Sequence, residues 1–511
     1  PSFKINFCDI ETLFPLMTEA CELVGLSPKY INVNMGGGTF FDAIENVDNA
    51  ISANSAKKRV LHYVEVFNRA SETFIYDIVN RFNDGDNYQG LVLCDVRELE
   101  EIRPFEHITC VKWSLTHPLI RQYIYRYLLT NYNPDYIICH FALNSHKFCQ
   151  RIGIEERKYR FLHMMHGIDV FLLRDEGFKE YSQFVLNDLQ SKPNHHFSTP
   201  SLYLKAYATR CGINKDKISV IHNTISDRFF NYRKTGNFYD GNRELKLLSI
   251  GRLIGWKGHD HLLNGIARYL KDNPGFQLKL SIVYGKHDEL LEEYRALCDK
   301  EGIADNVDFV EFVNFAEEPE YFQQFDLFVL PSTLSKDGLF RTETFGVSTL
   351  EAIASGLPVI VADAGASKEV VGDTESPYAH VVKHGSAESI YQALTNIIDE
   401  KSAFSDNLEF AQQTLERFSE PRQIQKIERV FNDELGDNTP NIALFTSDVI
   451  GGAGGAAYRC HQSFLNYGLN STLFCRKFGK LPANYQEQRI VPLPSENLPQ
   501  YNPFNHTVDR R

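Results

Sequence analysis

Between residues 245 and 410 short apolar runs alternate with amphipathic ones, and this alternation restricts the fold more than any other feature of the chain. Leu245–Ile250 is an apolar run that ends at Gly251, as a buried strand should. Leu262, Ile266 and Leu270 then recur every four residues, the spacing of one helix face. Phe276, Leu278, Leu280 and Ile282 alternate with polar residues, so a strand follows. A charged helical stretch over 288–300, a strand over 307–313, a helix over 319–324, a strand over 326–330, a helix over 346–355 and a strand over 358–362 complete the series. Strands separated by helices of 8 to 15 residues form a parallel sheet with crossovers, a doubly wound α/β layer.

A second region of the same kind precedes the first. Residues 60–66, 90–94, 136–140, 160–166 and 218–221 read as strands, with helices between them such as 116–132. Two such layers joined near 225–244 leave a cleft between the carboxyl ends of their strands, where ligands of these folds bind. Residues 1–57 fit neither layer, and 410–435 read as helical, with Phe410, Thr414, Phe418, Ile424 and Ile427 on one side. Residues 441–446 form another strand, followed by the glycine-rich run 451–455 and a helix carrying Ala457, Cys460 and Phe464. The chain begins at Pro1 and stops at Arg511 shortly after this pattern opens, so both ends read as cuts from a longer sequence.

Composition excludes several classes. The 53 Lys and Arg against 66 Asp and Glu give a net charge of −13, which argues against non-specific nucleic-acid binding and against a polybasic membrane anchor. No apolar run approaches the roughly 18 residues that span a bilayer, and the N-terminus lacks a basic-then-apolar leader. The ten cysteines are scattered without a C-x-x-C pair, so reduced thiols and a cytoplasmic location are expected.

The chemistry concentrates in two loops. In Arg341–Ile360, Val347, Leu350 and Ala354 form the buried stripe of a helix that begins near Gly346. Its free amides at Gly346, Val347 and Ser348 make an anion site suited to phosphate. Glu343 precedes the helix and Glu351 lies in its second turn. Carboxylates on either side of a phosphate suit a ligand with hydroxyls at both ends, which is the layout of a nucleotide-sugar. In Gly251–Gly258, between a strand and a helix, Arg252 and Lys257 can neutralise a departing diphosphate.

These segments resemble the retaining glycosyltransferases of family 4, which have the GT-B fold. The resemblance rests on G-R-L-x-x-x-K-G at 251–258, Leu330-Pro331-Ser332 at a strand end, E-x7-E from Glu343 to Glu351, and S-G-L-P-V-I-V-A-D at 355–363. It continues upstream in His166-Gly167-Ile168-Asp169, in Asn68–Ile75 (similar to the S-E-T-F-I start of polysaccharide-building members) and in Ile221–Ile225. It implies an acceptor-side Rossmann-like domain at 58–225, a nucleotide-sugar-binding one at 226–410, a helical segment at 411–436, and the truncated start of a second transferase module at 441–511. By the same resemblance Glu343 faces the hydroxyls of the donor sugar and Glu351 those of the ribose. Arg252 and Lys257 hold the diphosphate beside Gly251, and His166 and Asp169 approach the donor sugar from the opposite domain. It further implies a UDP- or GDP-sugar donor, retention of anomeric configuration and no need for a metal or other cofactor. The acceptor is then a glycan, lipid-linked in some members, which leaves room for peripheral association with the inner membrane face. Two loops depart from the family, Tyr284–His287 and Ala364–Glu369, and both bear on donor identity.

Four other candidates are discounted. Asp84-Gly85-Asp86 resembles a metal-binding pair but sits in a turn composition. His195-His196 are neighbours on an extended segment, so their side chains point apart. Gly36-Gly37-Gly38 is explained by a tight turn. The glycines at 452 and 454 resemble a dinucleotide fingerprint, but the next strand runs into Arg476-Lys477 where an acidic residue is required. The rival readings are a sugar phosphorylase or nucleotide-sugar epimerase on the same fold, and an inactive glycan-binding module.

Overall fold

A computed structural model describes residues 46–50, 57–69, 72–84, 87–101, 103–111, 124–152, 158–225, 227–285, 290–311, 319–372, 376–432, 441–448, 455–461, 470–477 and 490–492. The chain divides into two compact units, residues 1–435 and 436–511.

The first unit holds two parallel sheets. Strands β1 (Lys58–Phe67), β2 (Tyr88–Arg97), β3 (Ile108–Cys110), β4 (Tyr136–His140), β5 (Arg160–Met164), β6 (His195–Thr199) and β7 (Ile218–Val220) form a sheet of order β3-β2-β1-β4-β5-β6-β7. Strands β8 (Leu245–Ile250), β9 (Leu278–Tyr284), β10 (Val307–Glu311), β11 (Leu327–Leu330), β12 (Val359–Ala362) and β13 (Ala379–Val382) form the second, ordered β10-β9-β8-β11-β12-β13. Chain order reverses between β1 and β4 in one sheet and between β8 and β11 in the other. Crossovers leave in opposite directions at those points, so a crevice opens at the carboxyl ends of the strands.

The helices follow from their apolar spacing. In α1 (Thr73–Asp84), Ile75, Ile78, Val79 and Phe82 are buried, a stripe at i, i+3, i+4 and i+7. The other helices used below are α2 (Ala142–Ile152), α3 (Leu202–Arg210), α4 (His259–Asp272), α5 (Leu291–Glu301), α6 (Val347–Ala354), α7 (Ser367–Val371), α8 (Ala387–Glu400), α9 (Leu408–Arg417) and α10 (Glu420–Phe431). Most expected elements are present within a few residues, including β8, β9, α4, α6 and β12. Of the stretches named above, 286–289, 312–318 and 116–123 lie outside the described residues, as do Gly36–Gly38, Gly85, Asp86 and the 451–454 glycines.

Three findings correct the sequence reading. Residues 46–50, assigned to an extension, are helical, and Val47 and Ala50 join the core under β1, β2 and β4. The apparent stripe over 410–435 is two helices with different partners. Phe410 and Phe418 pack in the core of the second sheet, whereas Ile427, Val430 and Phe431 pack on the first, with Val60, Tyr136, Ile138 and Leu162. The rings of Phe431 and Tyr136 stack with centroids 3.8 Å apart. Strands β3, β6 and β13 were not anticipated. Strand β6 is His195-His196-Phe197-Ser198-Thr199, polar in composition yet wholly buried.

The second unit is a parallel sheet of order β14-β15-β16, from β14 (Asn441–Asp448), β15 (Asn470–Lys477) and β16 (Ile490–Pro492), with residues 455–461 helical between the first two strands. Leu473, Cys475 and Tyr458 form its small core. The third strand extends the single βα unit expected there. No helix among the described residues is long and apolar enough to cross a membrane.

Candidate active site

The loops that leave β8 and β11 meet because those strands are neighbours at the reversal point. Gly251 continues β8, its amide donating to the Val283 carbonyl at 3.0 Å. After a short turn at Gly255–Lys257, the Lys257 ammonium donates to Glu343 Oε2 at 2.6 Å. Ser332, which follows β11, donates its hydroxyl to the same oxygen at 3.3 Å. Both charged side chains are largely withdrawn from solvent, Lys257 at 14% and Glu343 at 9% exposure. The sequence assigned Lys257 to a phosphate and Glu343 to a sugar. The fold joins the two as one ion pair, a contact that the sequence did not indicate.

The backbone of Glu343 is fixed as tightly as its side chain. Its carbonyl accepts from the Ala366 amide at 2.9 Å. A Cβ on Gly365 would meet that carbonyl oxygen at 1.8 Å, and Gly365 has φ of 61°, so glycine is required there. Gly365 and Ala366 belong to Ala364–Glu369, one of the two loops that depart from the family pattern, and they lie directly against the Glu343 backbone. Gly346 caps α6 in a left-handed conformation, and Val347 and Ser348 open the helix half-buried. Their amides lie in the first turn, without a partner inside the helix, and Gly346 packs beside the Glu343 side chain. Glu351 falls in the second turn, half-buried. Arg252 is exposed, and Arg252 and Lys257 flank the Trp256 ring, with cation-to-centroid distances of 5.9 and 5.1 Å.

The facing wall comes from the carboxyl ends of β1, β4 and β5. The His166 ring is enclosed by Phe74 (4.7 Å), Phe141 (4.9 Å) and His140, which stacks at 5.7 Å and 10°. Burial first, and the His140 ring second, hold the His166 pKa well below its usual value, so the imidazole is neutral at pH 7. Neither of its ring nitrogens has a partner among the described residues. Behind it, His140 and His62 are linked at 3.2 Å.

Asp169 does not reach the cleft. It is fully buried, and its carboxylate accepts from the amides of Ala142 (2.8 Å), Gly167 (2.9 Å) and His166 (3.2 Å). It organises the turn that presents His166 rather than meeting a ligand, which corrects its assignment from the motif. Burial raises its pKa, against the lowering by these amides.

The two walls touch at Thr344. Its hydroxyl donates to the His166 carbonyl at 3.0 Å, and its carbonyl accepts from the Ser201 hydroxyl at 2.7 Å. Gly167, with φ of 142°, leaves no room for a Cβ, which would stand 2.6 Å from Thr344 Cγ2. Farther out, Glu369 of α7 accepts from the Leu202 amide at the start of α3 and from His222 at 2.9 Å. Thr344, Ser201, Trp256 and Glu369 were not singled out from the sequence. Thr344, Ser201 and Glu369 work through partners more than 100 residues away, which no local pattern carries, and Trp256 through the cations one and four positions off. Glu72, ahead of α1, is half-buried 3.6 Å from Arg69. Burial pushes its pKa up to about 7, Arg69 lowers it, Glu98 raises it, and Arg252 across the cleft lowers it. The discounted histidines point apart as argued: His195 meets His163 at 2.8 Å and His196 meets Ser219 at 3.0 Å.

With this geometry in place, likeness to known proteins narrows the reading. Residues 235–415 match the family model for glycosyl transferases group 1. That span covers β8 to α9, and with it both loops of the ion pair. Among curated relatives, an uncharacterized 41.2 kDa protein in the cps region of Klebsiella pneumoniae is 25% identical over 224 residues, 43% of this chain and 57% of that protein. The lipopolysaccharide core biosynthesis mannosyltransferase LpsB of Rhizobium meliloti is 28% identical over 153 residues, 30% of this chain and 40% of that protein. Thus the chain spans about half the length of these relatives. Among solved structures, HepE of Anabaena in complex with UDP aligns with a TM-score of 0.58 at 17% identity, covering 74% of this chain and all of that one. The fold is GT-B. Two Rossmann-like domains of this architecture place the Lys257–Glu343 pair in one wall of the cleft and His166 in the other.

Proposed function

We propose that this chain is a retaining family-4 glycosyltransferase that moves a sugar from a UDP- or GDP-sugar to a glycan or polysaccharide acceptor. The observation that carries the reading is the buried Lys257–Glu343 pair at 2.6 Å, set beside the N-terminus of α6 in the cleft. A diphosphate at the α6 amides lies within reach of Lys257 and Arg252, whose charge offsets that of the leaving group. Glu343 then takes sugar hydroxyls, Glu351 takes the ribose, and the neutral His166 approaches the sugar from the facing wall. The sugar–phosphate C–O bond breaks, the acceptor oxygen bonds to the same face, and its proton passes to the departing phosphate oxygen. The cations and amides supply the charge that a divalent metal would otherwise bring. The UDP bound by HepE supports a UDP-sugar as the first donor to try, and the mannosyltransferase relative supports mannose as one sugar to try.

Glu343→Ala is expected to abolish transfer, a loss of at least 1,000-fold, while the melting temperature moves by only a few degrees. Turnover near the wild-type rate in a donor-to-acceptor assay refutes the assignment. Product analysis distinguishes the rivals, since a phosphorylase requires free phosphate and an epimerase requires no acceptor.

A further inference from the structure

Five large apolar side chains are exposed among the described residues, and Phe340 is the most exposed at 51%. It also has φ of 52°, a left-handed conformation that a bulky side chain rarely adopts. Phe141, the other phenylalanine with positive φ, is explained by its ring, which packs on His166 and on the core around β1 and β2. No aromatic ring among the described residues packs on Phe340.

The surrounding loop holds that conformation in place. Asp337 accepts from the Leu339 amide at 3.0 Å, from the Ser335 hydroxyl at 2.6 Å and from Arg341 Nε at 2.8 Å. The Arg341 amide donates to the Ser335 hydroxyl at 2.7 Å, and the Ser335 amide to the Arg341 carbonyl at 2.8 Å. Residues on both sides of Phe340 are therefore pinned, and the ring between them is presented to solvent. The loop is also fastened across the cleft, where Tyr207 of α3 donates to the Leu339 carbonyl at 2.8 Å. Tyr207 in turn packs against Phe171 and Arg174, in the segment that carries two more of the exposed apolar residues, Ile168 and Phe178.

We infer that Phe340 is a stacking platform for a sugar ring of the acceptor, a specificity determinant at the rim of the cleft. The inference rests on the glycosyltransferase reading above. Phe340 lies three residues before Glu343, and its loop is tied through Tyr207 to the domain that the glycosyltransferase reading makes the acceptor side. A pyranose has an apolar C–H face ringed by hydroxyls. An aromatic face flanked by the charged groups of Asp337 and Arg341 matches that pattern.

The test uses the full chain, with Phe340→Asn and Phe340→Trp. Asparagine tolerates positive φ, so Phe340→Asn is expected to melt at or above the wild-type temperature. On an array of neutral and acidic oligosaccharides, read with saturating UDP, Phe340→Asn is expected to lose at least tenfold in signal while Phe340→Trp keeps it. Thermal shift with UDP alone should be the same for all three proteins. A lower melting temperature for Phe340→Asn makes the ring a structural one and overturns the inference. So does an undiminished array signal, or a UDP shift lost together with the glycan signal, which marks a nucleobase platform. A wild type that binds UDP but no glycan overturns the platform alone. One that binds glycan through Phe340 but neither UDP nor GDP sinks the donor reading instead.

Discussion

At the scale of single residues, the Lys257–Glu343 pair is asymmetric. The Glu343 carboxylate is anchored through its own backbone, under Gly365 and bonded to Ala366, whereas Lys257 has four methylenes that let its ammonium swing toward water. Removing the lysine strands a buried carboxylate, and removing the glutamate frees a flexible cation. Lys257→Ala is therefore expected to cost about 3 kcal/mol in stability, and Glu343→Ala clearly less, as denaturant titration of both variants will read. Equal losses refute the asymmetry. Glu72 gives a pH-dependent counterpart. Its pKa rises from 4.5 to about 7 in the folded protein, chiefly through burial. The native state thus holds that proton more tightly than the unfolded chain. Stability associated with Glu72 is complete below pH 4.5 and is lost as pH rises through 7, by about 3 kcal/mol at most. Glu72→Gln should melt higher than wild type at pH 8 and level with it at pH 4.5. A constant difference across that range contradicts this account.

At the scale of elements, legibility in the sequence depended on whether burial is written in apolar residues. Strands β8 and β9 and helices α4 and α6 were readable because their periodicity is apolar. Strand β6 was not, since its two histidines are buried through partners on β5 and β7, and a buried polar residue looks exposed until its partner is known. Strand β13 is a half-buried edge of four residues, too short for a periodic signal. The site followed the same rule. Motif spacing located the loops that carry Glu343, Lys257 and His166, because each loop follows its strand directly. It could not show that Lys257 turns back to Glu343, that Asp169 turns inward, or that Thr344 joins the walls. Those contacts span 86, 27 and 178 positions of sequence. The split between α9 and α10 was missed for a related reason: both faces are apolar, and only the fold decides which sheet each one meets.

At the scale of the molecule, α10 is the element that returns the chain to its first domain. Its Phe431 ring lies on Tyr136, Arg160 donates to the Phe431 carbonyl, and Arg81 of α1 bonds Gln423 at 2.8 Å. Phe431→Ala is expected to cost about 3–5 kcal/mol, and to do so mostly in the N-terminal domain. Calorimetry should then resolve two transitions, with the N-terminal sheet melting first; a single cooperative transition shifted as a whole contradicts this. The returning helix also sets the order of events during synthesis. The last strand of the N-terminal sheet ends at Val220, whereas α10 begins at Glu420, about 200 residues later. At about 5–20 residues per second, the ribosome needs roughly 10–40 s to deliver the missing piece. Through that interval the nascent N-terminal domain carries an open apolar face around Tyr136, Ile138 and Leu162, and a chaperone that shields such surfaces has its longest opportunity there.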